Sequence, residues 1–363
     1  MLKRKKRIVI KIGSNVLAKN HDGLDMESIA QLTAQIASLN KLDMEVILVS
    51  SGAVAAGRSL ITPPNKMDVI SKRQLLAAVG QIKLINIYAD LFQKQQALCA
   101  QVLVTKEDFR DREHYINMKN CITALLQNKV IPILNENDVI SVTELMFTDN
   151  DELAGLVSGM MDADQLIILS NVNGIYNGSP SNPASEVIPI IEFGENAFED
   201  FITSEKSNFG RGGMLTKCSI ANKVAGLGIP VNIANGKAAN VLLDIIEKKP
   251  VGTLFKAKKN ISSIKKWVAH SEGFIKGIVY IDKGAEKALL SHKPTSLLPV
   301  GIMSIEGSFK KGDIIRISNM EGRQLGVGRA QYNSEKAMEL MHKKHEKALV
   351  HYDYLFLNDE QLK

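Results

Sequence analysis

The sequence contains few cysteines, few aromatic residues and no long apolar run. Its 363 residues include three cysteines, one tryptophan and 5% aromatic residues. Cys99, Cys121 and Cys218 are too few and too widely spaced to indicate a disulfide framework or a zinc site, so we expect a reducing cytoplasm. Nowhere do about 18 apolar residues follow one another, so no membrane span is expected. The basic residues 3–7 do not indicate a secretion signal, because Lys11 interrupts the apolar stretch behind them.

The common nucleotide-binding motifs are also absent. The sequence has no G-x-x-x-x-G-K-[ST], no G-x-G-x-x-G after a predicted strand, and neither H-R-D nor D-F-G. P-loop enzymes, dinucleotide enzymes and protein kinases are therefore poor fits. Any phosphate chemistry in this chain must use a different set of residues.

Length and charge distribution predict two domains. A chain of 363 residues with 45% hydrophobic and 23% charged residues is typical of a soluble globular protein with more than one core. Residues 1–250 hold 26 Lys and Arg against 27 Asp and Glu, whereas residues 251–363 hold 19 against 12. This asymmetry places a boundary near residues 250–266. A basic C-terminal part also attracts phosphate, although a solvated basic surface explains the same charges.

Alternating strand and helix patterns predict an α/β fold. Short apolar runs rich in β-branched residues predict buried strands at 7–12, 45–49, 98–104, 130–134, 165–169 and 230–233. Segments of helical period lie between them, at 26–40 behind the cap candidate Asp25, 71–96, 114–127, 150–161 and 214–226. We therefore expect an αβα sandwich with a central, mainly parallel sheet. After residue 272 the short alternating runs and glycine turns predict a small β-rich domain.

Polar loops follow several of the predicted strands, where α/β folds bind their ligands. They are residues 9–14 (VIKIGS), 49–54 (VSSGAV), 134–138 (LNEND), 148–151 (TDND) and 210–217 (GRGGMLTK). Lys11 ends an apolar strand and Lys217 follows a glycine loop, so two ammonium groups could meet phosphate there, with Asp151 between them. Each feature alone is equally explained by a surface lysine or an ordinary turn. Their ordered combination predicts a phosphoryl-transfer cleft.

Four longer stretches resemble the glutamate 5-kinase family, enzymes with an amino-acid-kinase fold and a C-terminal PUA domain. The stretches are residues 49–58 (VSSGAVAAGR), 74–81 (QLLAAVGQ), 135–138 (NEND) and 296–301 (SLLPVG). The resemblance extends from about residue 8 to residue 352. It implies a kinase domain for ATP and glutamate at 1–258, a linker at 259–272, a PUA domain at 273–352 and a tail at 353–363.

The resemblance also implies roles for individual residues. The family's catalytic positions match Lys11, Lys217 and Asp151. Its glutamate-binding positions match Ser51, Asp138 and Asn150. Its nucleotide-binding positions match Lys11, Gly13, Ser170, Asn171, Arg211, Gly212, Gly213, Met214, Leu215, Thr216 and Lys217.

The chain departs from the family pattern at the nucleotide site. Ser170 and Asn171 stand where the family has a Thr-Asp pair, and Arg211 and Leu215 stand where Thr and Ser are usual. An amide in place of a carboxylate removes one charged acceptor for ribose or adenine donors. We therefore expect a weaker or less selective nucleotide site.

The implied reaction is ATP-dependent phosphorylation of the side-chain carboxylate of L-glutamate, the first step of proline biosynthesis. A carboxylate is already ionised at neutral pH, so the reaction needs no general base. Mg²⁺ is expected to accompany ATP and to be held mainly by phosphates and water, without a dedicated protein metal site. The resemblance further implies a cytoplasmic homo-oligomer, proline as a feedback inhibitor and functional coupling to glutamate-5-semialdehyde dehydrogenase.

Two alternatives stay open from the sequence. One is a sibling kinase of the same fold that acts on acetylglutamate, aspartate, carbamate or UMP, although residues 135–138 and 51–58 favour glutamate. The other is an RNA-binding accessory protein that acts through the basic PUA domain. The C-terminal part has one tryptophan, Trp267, and lacks the dense aromatic and basic interleaving that stacks bases, so RNA is the weaker alternative.

Overall fold

The computed structural model divides into two compact units, Met1–Lys259 and Asn260–Lys363. The residues that it describes are 4–19, 23–109, 111–141, 147, 149–179, 182–194, 213–258, 275–291, 295–344 and 346–357. The linker predicted at 259–272 lies outside these ranges, and the bounds of the four predicted segments stay a prediction. Each unit is described separately below.

The first unit is built around a sheet with strand order β3-β4-β2-β1-β5-β7-β8-β6. The strands are β1 (Arg7–Ile12), β2 (Glu45–Ser50), β3 (Leu98–Val104), β4 (Val130–Glu136), β5 (Gln165–Ser170), β6 (Ile190–Ile191), β7 (Val231–Asn235) and β8 (Thr253–Phe255). The pairing of β7 with β8 is antiparallel, and the other pairings of these strands are parallel. Lys11 lies in register with Val49 and Ile168, so the carboxyl ends of β1, β2 and β5 meet at one edge.

Four helices of the first unit begin directly after an aspartate that caps them. They are α1 (Ser14–Leu17), α2 (Met26–Lys41), α3 (Ala53–Arg58), α4 (Val69–Lys94), α5 (Arg112–Gln127), α6 (Asn150–Met160), α7 (Met214–Gly226) and α8 (Val241–Ile246). The side chains of Asp25, Asp68, Asp111 and Asp149 accept backbone N–H bonds at the starts of α2, α4, α5 and α6. Such carboxylates satisfy amide groups that lack a partner inside the helix.

The two faces of the sheet are covered by different helices. Ile8, Ile10 and Ile12 of β1 point into a core shared with residues of α2, α4 and α8. Side chains alternate along a strand, so Lys11 points to the opposite face, where α6 packs against β1. The predicted α/β sandwich with a mainly parallel sheet is confirmed.

The observed boundaries differ from the predicted ones by a few residues, for local reasons. Strand β4 continues to Glu136 because Asn135 and Glu136 still pair with the long edge strand β3. Helices α4 and α5 each begin two residues earlier than the apolar period predicts, directly after their aspartate caps. Helix α8 and the strands β6 and β8 were not predicted, because so few residues show too little periodicity to recognise.

The second unit has its own sheet and its own core. Its elements are β9 (Ile275–Ile281), α9 (Lys283–Leu289), β10 (Ile302–Gly307), β11 (Ile314–Asn319), β12 (Gln324–Arg329), α10 (Ser334–Leu340) and β13 (Leu355–Leu357). The strand order is β10-β9-β11-β12-β13, with β9 and β11 parallel. Buried residues such as Val279, Ile317 and Leu325 form the core of this unit. The predicted small β-rich domain is confirmed.

Helix α4 is the longest helix described, and its backbone packs closely against the backbone of α3. By length and hydropathy it could cross a membrane, but its buried residues, including Leu84 and Phe92, belong to the core of the first unit.

Two glycines allow the backbones of α3 and α4 to approach each other closely. A Cβ atom on Gly80 would lie 1.9 Å from the carbonyl oxygen of Ala53, and one on Gly57 would lie 2.0 Å from that of Leu76. Both glycines are therefore required by the close approach of the two helices.

We expect Gly80→Ala to destabilise the protein by about 2 kcal/mol or more, because the new methyl group meets backbone that cannot move aside. Urea unfolding of the variant measures the change, with Ala78→Ser as a control at an exposed position of the same helix. Helix propensity alone favours alanine over glycine. A Gly80→Ala variant as stable as the parent would therefore show that the helices are not in contact there.

Candidate functional site

Three elements bring charged side chains together at the carboxyl edge of the first sheet. Lys11 comes from the end of β1, Asp151 from the first turn of α6 and Lys217 from the first turn of α7. Lys11 Nζ lies 2.5 Å from Asp151 Oδ1, and Lys217 Nζ lies 2.9 Å from Asp151 Oδ2. The carboxylate is fully buried, while the lysine side chains are 5% and 12% exposed. Residues 206 positions apart in sequence thus form one ionic group.

The electrostatics of this group favour two ammonium charges around one carboxylate. Burial by itself would raise the pKa of Asp151, but the charges of Lys11 and Lys217 outweigh it and hold the pKa at about 2. Burial would lower the pKa of Lys217, and the charge of Asp151 together with its hydrogen bond raises it instead. These three side chains by themselves carry a net charge of +1, and their two ammonium groups suit contact with an anion, although an ionised Asp149 beside them cancels the net charge.

Asp149 is a second, partly buried carboxylate near the ionic group. Its Oδ1 accepts hydrogen bonds from the backbone N–H groups of Asp151 (2.9 Å) and Glu152 (3.1 Å) and so caps α6. Its Oδ2 is buried and has no hydrogen-bond partner among the described residues. Burial and the neighbouring charge of Asp151 raise the pKa of Asp149 to about 6, although Lys11 and Lys217 act in the opposite direction.

The side chain of Asn150 connects α6 to the ends of two strands. Its Nδ2 lies 3.0 Å from the carbonyl oxygen of Ser50, 3.0 Å from Ser51 Oγ and 3.1 Å from Asn135 Oδ1. An amide nitrogen carries two protons, so these three acceptors use its donor capacity completely. The side-chain oxygen of Asn150, Oδ1, is then the atom that can accept a hydrogen bond from a ligand.

Asp138 lies beyond the end of β4 in contact with an arginine of α4. Arg73 Nη2 forms an ion pair with Asp138 and lies 3.4 Å from Glu136 Oε2. Burial raises the pKa of Asp138 even though the charge of Arg73 opposes the shift. A partly buried carboxylate of this kind can receive the ammonium group of an amino acid.

The predicted nucleotide residues of β1 and β5 lie next to the ionic group. Gly13 follows β1, and its N–H donates to the carbonyl oxygen of Leu169 at 3.1 Å. Ser170 ends β5, and its hydroxyl lies 3.4 Å from Asn171 Oδ1. A Cβ atom on Gly13 would lie 3.0 Å from Leu169 O and 3.7 Å from Lys11 Nζ, so glycine also keeps the space around the lysine open.

The predicted nucleotide residues of α7 occupy its N-terminal end. Gly213 is the N-cap of α7. Because glycine has no side chain, it accepts no hydrogen bond from the first backbone amide groups of the helix. Met214, Leu215 and Thr216 form the first turn, with Leu215 43% exposed. Arg211 and Gly212 lie outside the described residues.

Some residues of the site were not assigned a role from the sequence. Asp149, Ser50 and Arg73 each contact a residue that was assigned, whereas Gln81 contacts Asn135 and Tyr88 contacts Ser50. Asp149 carried a usable signal, because aspartate before a helical segment is a common N-cap. Arg73, Gln81 and Tyr88 of α4 carried no such sequence signal, because their contacts depend on how α4 packs against the sheet.

No cluster of three or more His, Cys, Asp or Glu side chains suited to a metal ion occurs in the part of the chain that the structure describes. The buried Oδ2 of Asp149 lacks a hydrogen-bond partner there and is a hard oxygen next to a group suited to anions. A single carboxylate oxygen fits Mg²⁺ that keeps most of its ligands from phosphate and water. It does not fit an all-protein metal cage.

Family models match both units of the chain. The amino acid kinase family matches residues 6–235 and the PUA domain matches residues 277–352. A glutamate 5-kinase from Bacteroides thetaiotaomicron is 55% identical over 97% of this chain and 98% of its own length. A glutamate 5-kinase from Chlorobaculum tepidum is 51% identical, with 97% of each chain covered. Both relatives therefore include the two units in one polypeptide.

A solved structure supports the fold of the first unit alone. Carbamate kinase from Giardia lamblia, bound to AMP-PNP, aligns with a TM-score of 0.52 over 70% of this chain and 99% of its own, at 19% identity. At that identity the likeness concerns the arrangement of strands and helices. The predicted amino-acid-kinase architecture agrees with it.

Asp149→Asn is expected to stabilise the protein above pH 6 and to have little effect near pH 4. The raised pKa means that the folded state binds a proton more tightly than the unfolded state, whose aspartate has a pKa near 3.8. Wild-type stability is therefore lost as the pH rises from 3.8 to about 6, whereas asparagine cannot ionise and still caps the helix. Unfolding midpoints of both proteins across this pH range measure the difference. A constant difference at all pH values would contradict the shifted pKa.

Proposed function

Because this chain belongs to the amino acid kinase family, in its glutamate 5-kinase branch with a C-terminal PUA domain, we propose that it phosphorylates the side-chain carboxylate of L-glutamate with ATP. The product is L-glutamyl 5-phosphate, and the reaction is the first step of proline biosynthesis. The observation that carries the proposal is the buried Lys11–Asp151–Lys217 group directly beside Asn150.

The two lysines act on the transferring phosphoryl group. In phosphoryl transfer the protein contributes mainly positioning and neutralisation of charge on the phosphate oxygens. Asp151 holds both ammonium groups in fixed positions, so little reorganisation is needed when charge develops in the transition state. Gly213 and the first turn of α7 supply backbone donors beside Lys217.

The amino-acid substrate binds on the other side of Asn150. The carboxylate of Asp138 and the side-chain oxygen of Asn150 accept hydrogen bonds from the α-ammonium group of glutamate. The hydroxyl of Ser51 can donate a hydrogen bond to a carboxylate of the substrate. The side-chain carboxylate of the substrate is the nucleophile, and it attacks the γ-phosphorus while the bond to the β-phosphate oxygen breaks. It is ionised at neutral pH, so no residue has to remove a proton.

The nucleotide lies at Gly13, Ser170, Asn171 and residues 211–217. Mg²⁺ bound with ATP would lower the charge repulsion between the phosphates and the attacking carboxylate. Asp149 is the residue placed to hold this ion through its unpaired oxygen. The amide of Asn171 weakens recognition of the ribose or adenine relative to an aspartate.

Further features rest on the family resemblance of the sequence rather than on the geometry of the site. We expect a cytoplasmic homo-oligomer that is inhibited by proline and hands its reactive acyl phosphate to glutamate-5-semialdehyde dehydrogenase. The residues assigned to the reaction all precede Cys218, so the second unit is proposed to serve regulation or assembly. RNA contact by this unit is the weaker alternative.

The proposal is tested by ADP release with L-glutamate, L-aspartate and N-acetyl-L-glutamate, each with and without proline. Only glutamate should support turnover, and hydroxylamine should trap the acyl phosphate as a hydroxamate. Turnover with acetylglutamate or aspartate in place of glutamate would assign the chain to a sibling activity. Absence of ADP release with all three would refute the proposal.

Replacing Lys217 with Met should lower kcat about a hundredfold or more and change the KM for glutamate far less, because the ammonium group acts on the transition state. Lys223→Met, an exposed lysine in the last turn of the same helix, is the control and should retain normal rates. Steady-state kinetics with both substrates varied separate the two constants. A Lys217→Met enzyme with near-normal kcat would remove this residue from the mechanism.

A further inference from the structure

One side of α4 contacts each chain segment that forms the glutamate side of the proposed site. Arg73, Gln81 and Tyr88 are separated by eight and seven residues, about two helical turns each, so they project from the same side of the helix. They contact the end of β4, the loop behind it and the end of β2. This side of α4 faces the sheet and is part of the first unit's core.

Tyr88 fixes the end of β2. Its hydroxyl lies 2.9 Å from Ser50 Oγ, and both side chains are buried. Ser50 Oγ donates its own proton to the carbonyl oxygen of Ser51 at 2.9 Å, so Tyr88 must be the donor to Ser50. This chain of hydrogen bonds orients the Ser50 carbonyl and the Ser51 hydroxyl, which both accept from Asn150.

Gln81 fixes the amide of Asn135. Asn135 Nδ2 donates to Gln81 Oε1 at 2.9 Å, which turns Asn135 Oδ1 towards the site. That oxygen accepts from the backbone N–H of Glu136 at 2.9 Å and from Asn150 Nδ2 at 3.1 Å. Gln81 therefore helps to determine which way the amide of Asn150 faces.

Arg73 fixes Asp138 and the loop in front of it. Its guanidinium group pairs with Asp138 and with the buried Glu136. Glu136 Oε1 in turn accepts from Ser141 Oγ at 2.6 Å and from the N–H of Phe147 at 2.9 Å. The position of the Asp138 carboxylate is thus tied through Arg73 to both ends of the segment behind β4.

We propose that this side of α4 is the positioning element for the amino-acid substrate: Arg73, Gln81 and Tyr88 orient Asp138, Asn135 and Ser50, and through them Asn150. The inference rests on the proposed function. The Lys11–Asp151–Lys217 group is supplied instead by β1, α6 and α7. The side chains that orient the substrate contacts therefore come from α4, whereas the charged group comes from β1, α6 and α7, and Asn150 and Asp151 are neighbours in α6.

Steady-state kinetics of Arg73→Gln, Gln81→Met and Tyr88→Phe test this division. Each variant removes one contact to the acceptor side, and the KM for glutamate should rise about three- to tenfold, as expected for one lost buried hydrogen bond or ion pair. The KM for ATP and kcat at saturating glutamate should stay within about twofold. Lys83→Gln, on the same helix but bonded to Ser59, is the matched control.

Equal increases in both KM values, or a fall in kcat alone, would overturn the proposal. Unfolding midpoints show whether each variant is folded, and Tyr88→Phe, which loses one hydroxyl, provides the test if the other two are not. If the wild-type enzyme shows no glutamate-dependent ADP release, the proposed function itself is refuted. Wild-type activity on glutamate with unchanged KM in the variants would refute only the role of α4.

A double-mutant cycle then separates positioning from general support. If Arg73 acts through Asp138, Arg73→Gln should change the KM for glutamate less than twofold in an Asp138→Asn background. The same three- to tenfold change in both backgrounds would show that Arg73 acts independently of Asp138 and would overturn its assignment as a positioning residue.

Discussion

The buried carboxylate of Asp151, shared by two lysines, is the interaction on which the site depends. An isolated charge in this position would cost several kcal/mol in lost hydration, and the cost is offset only if both ammonium groups arrive at the right place. Lys11 is placed by a strand in the middle of the sheet, between β2 and β5. Lys217 and Asp151 are placed by the first turns of α7 and α6. The strand order and the helix starts therefore have to be correct together before the ionic group can form.

In the proposed mechanism, the adjacency of Asn150 and Asp151 joins the phosphate-binding and amino-acid-binding halves of the site. Consecutive residues of a helix project about 100° apart, so neighbours in sequence can serve two different ligands. Asp151 turns towards the lysines on one face of the sheet, whereas Asn150 reaches over the strand ends to Ser50 and Asn135. A phosphoryl donor and an amino-acid acceptor bound by these two groups must lie next to each other. Their proximity is thus fixed by one turn of α6.

Much of this arrangement is predictable from the sequence, for physical reasons that differ between residues. Apolar runs mark the central strands because both faces of a parallel sheet are buried, and β1, β3 and α7 begin and end where the pattern predicts. Lys11 is conspicuous because a charge inside such a run must leave it near the strand end. The roles of Arg73, Gln81 and Tyr88 could not be predicted, because a long amphipathic helix offers many polar side chains and only the tertiary packing selects which of them reach the site.

The balance of charge at the site explains why a cation should travel with the nucleotide. Two lysines face two carboxylates, and above a pH of about 6 Asp149 is ionised, so the four groups then sum to zero. A triphosphate and a substrate carboxylate add several negative charges to this neutral set, in surroundings that screen them poorly. The lysines alone cannot neutralise these negative charges, because the carboxylate of Asp151 already balances part of their positive charge. A divalent cation bound with the nucleotide would supply the missing positive charge, and Asp149 would be the residue to hold it, because its Oδ2 has no hydrogen-bond partner among the described residues.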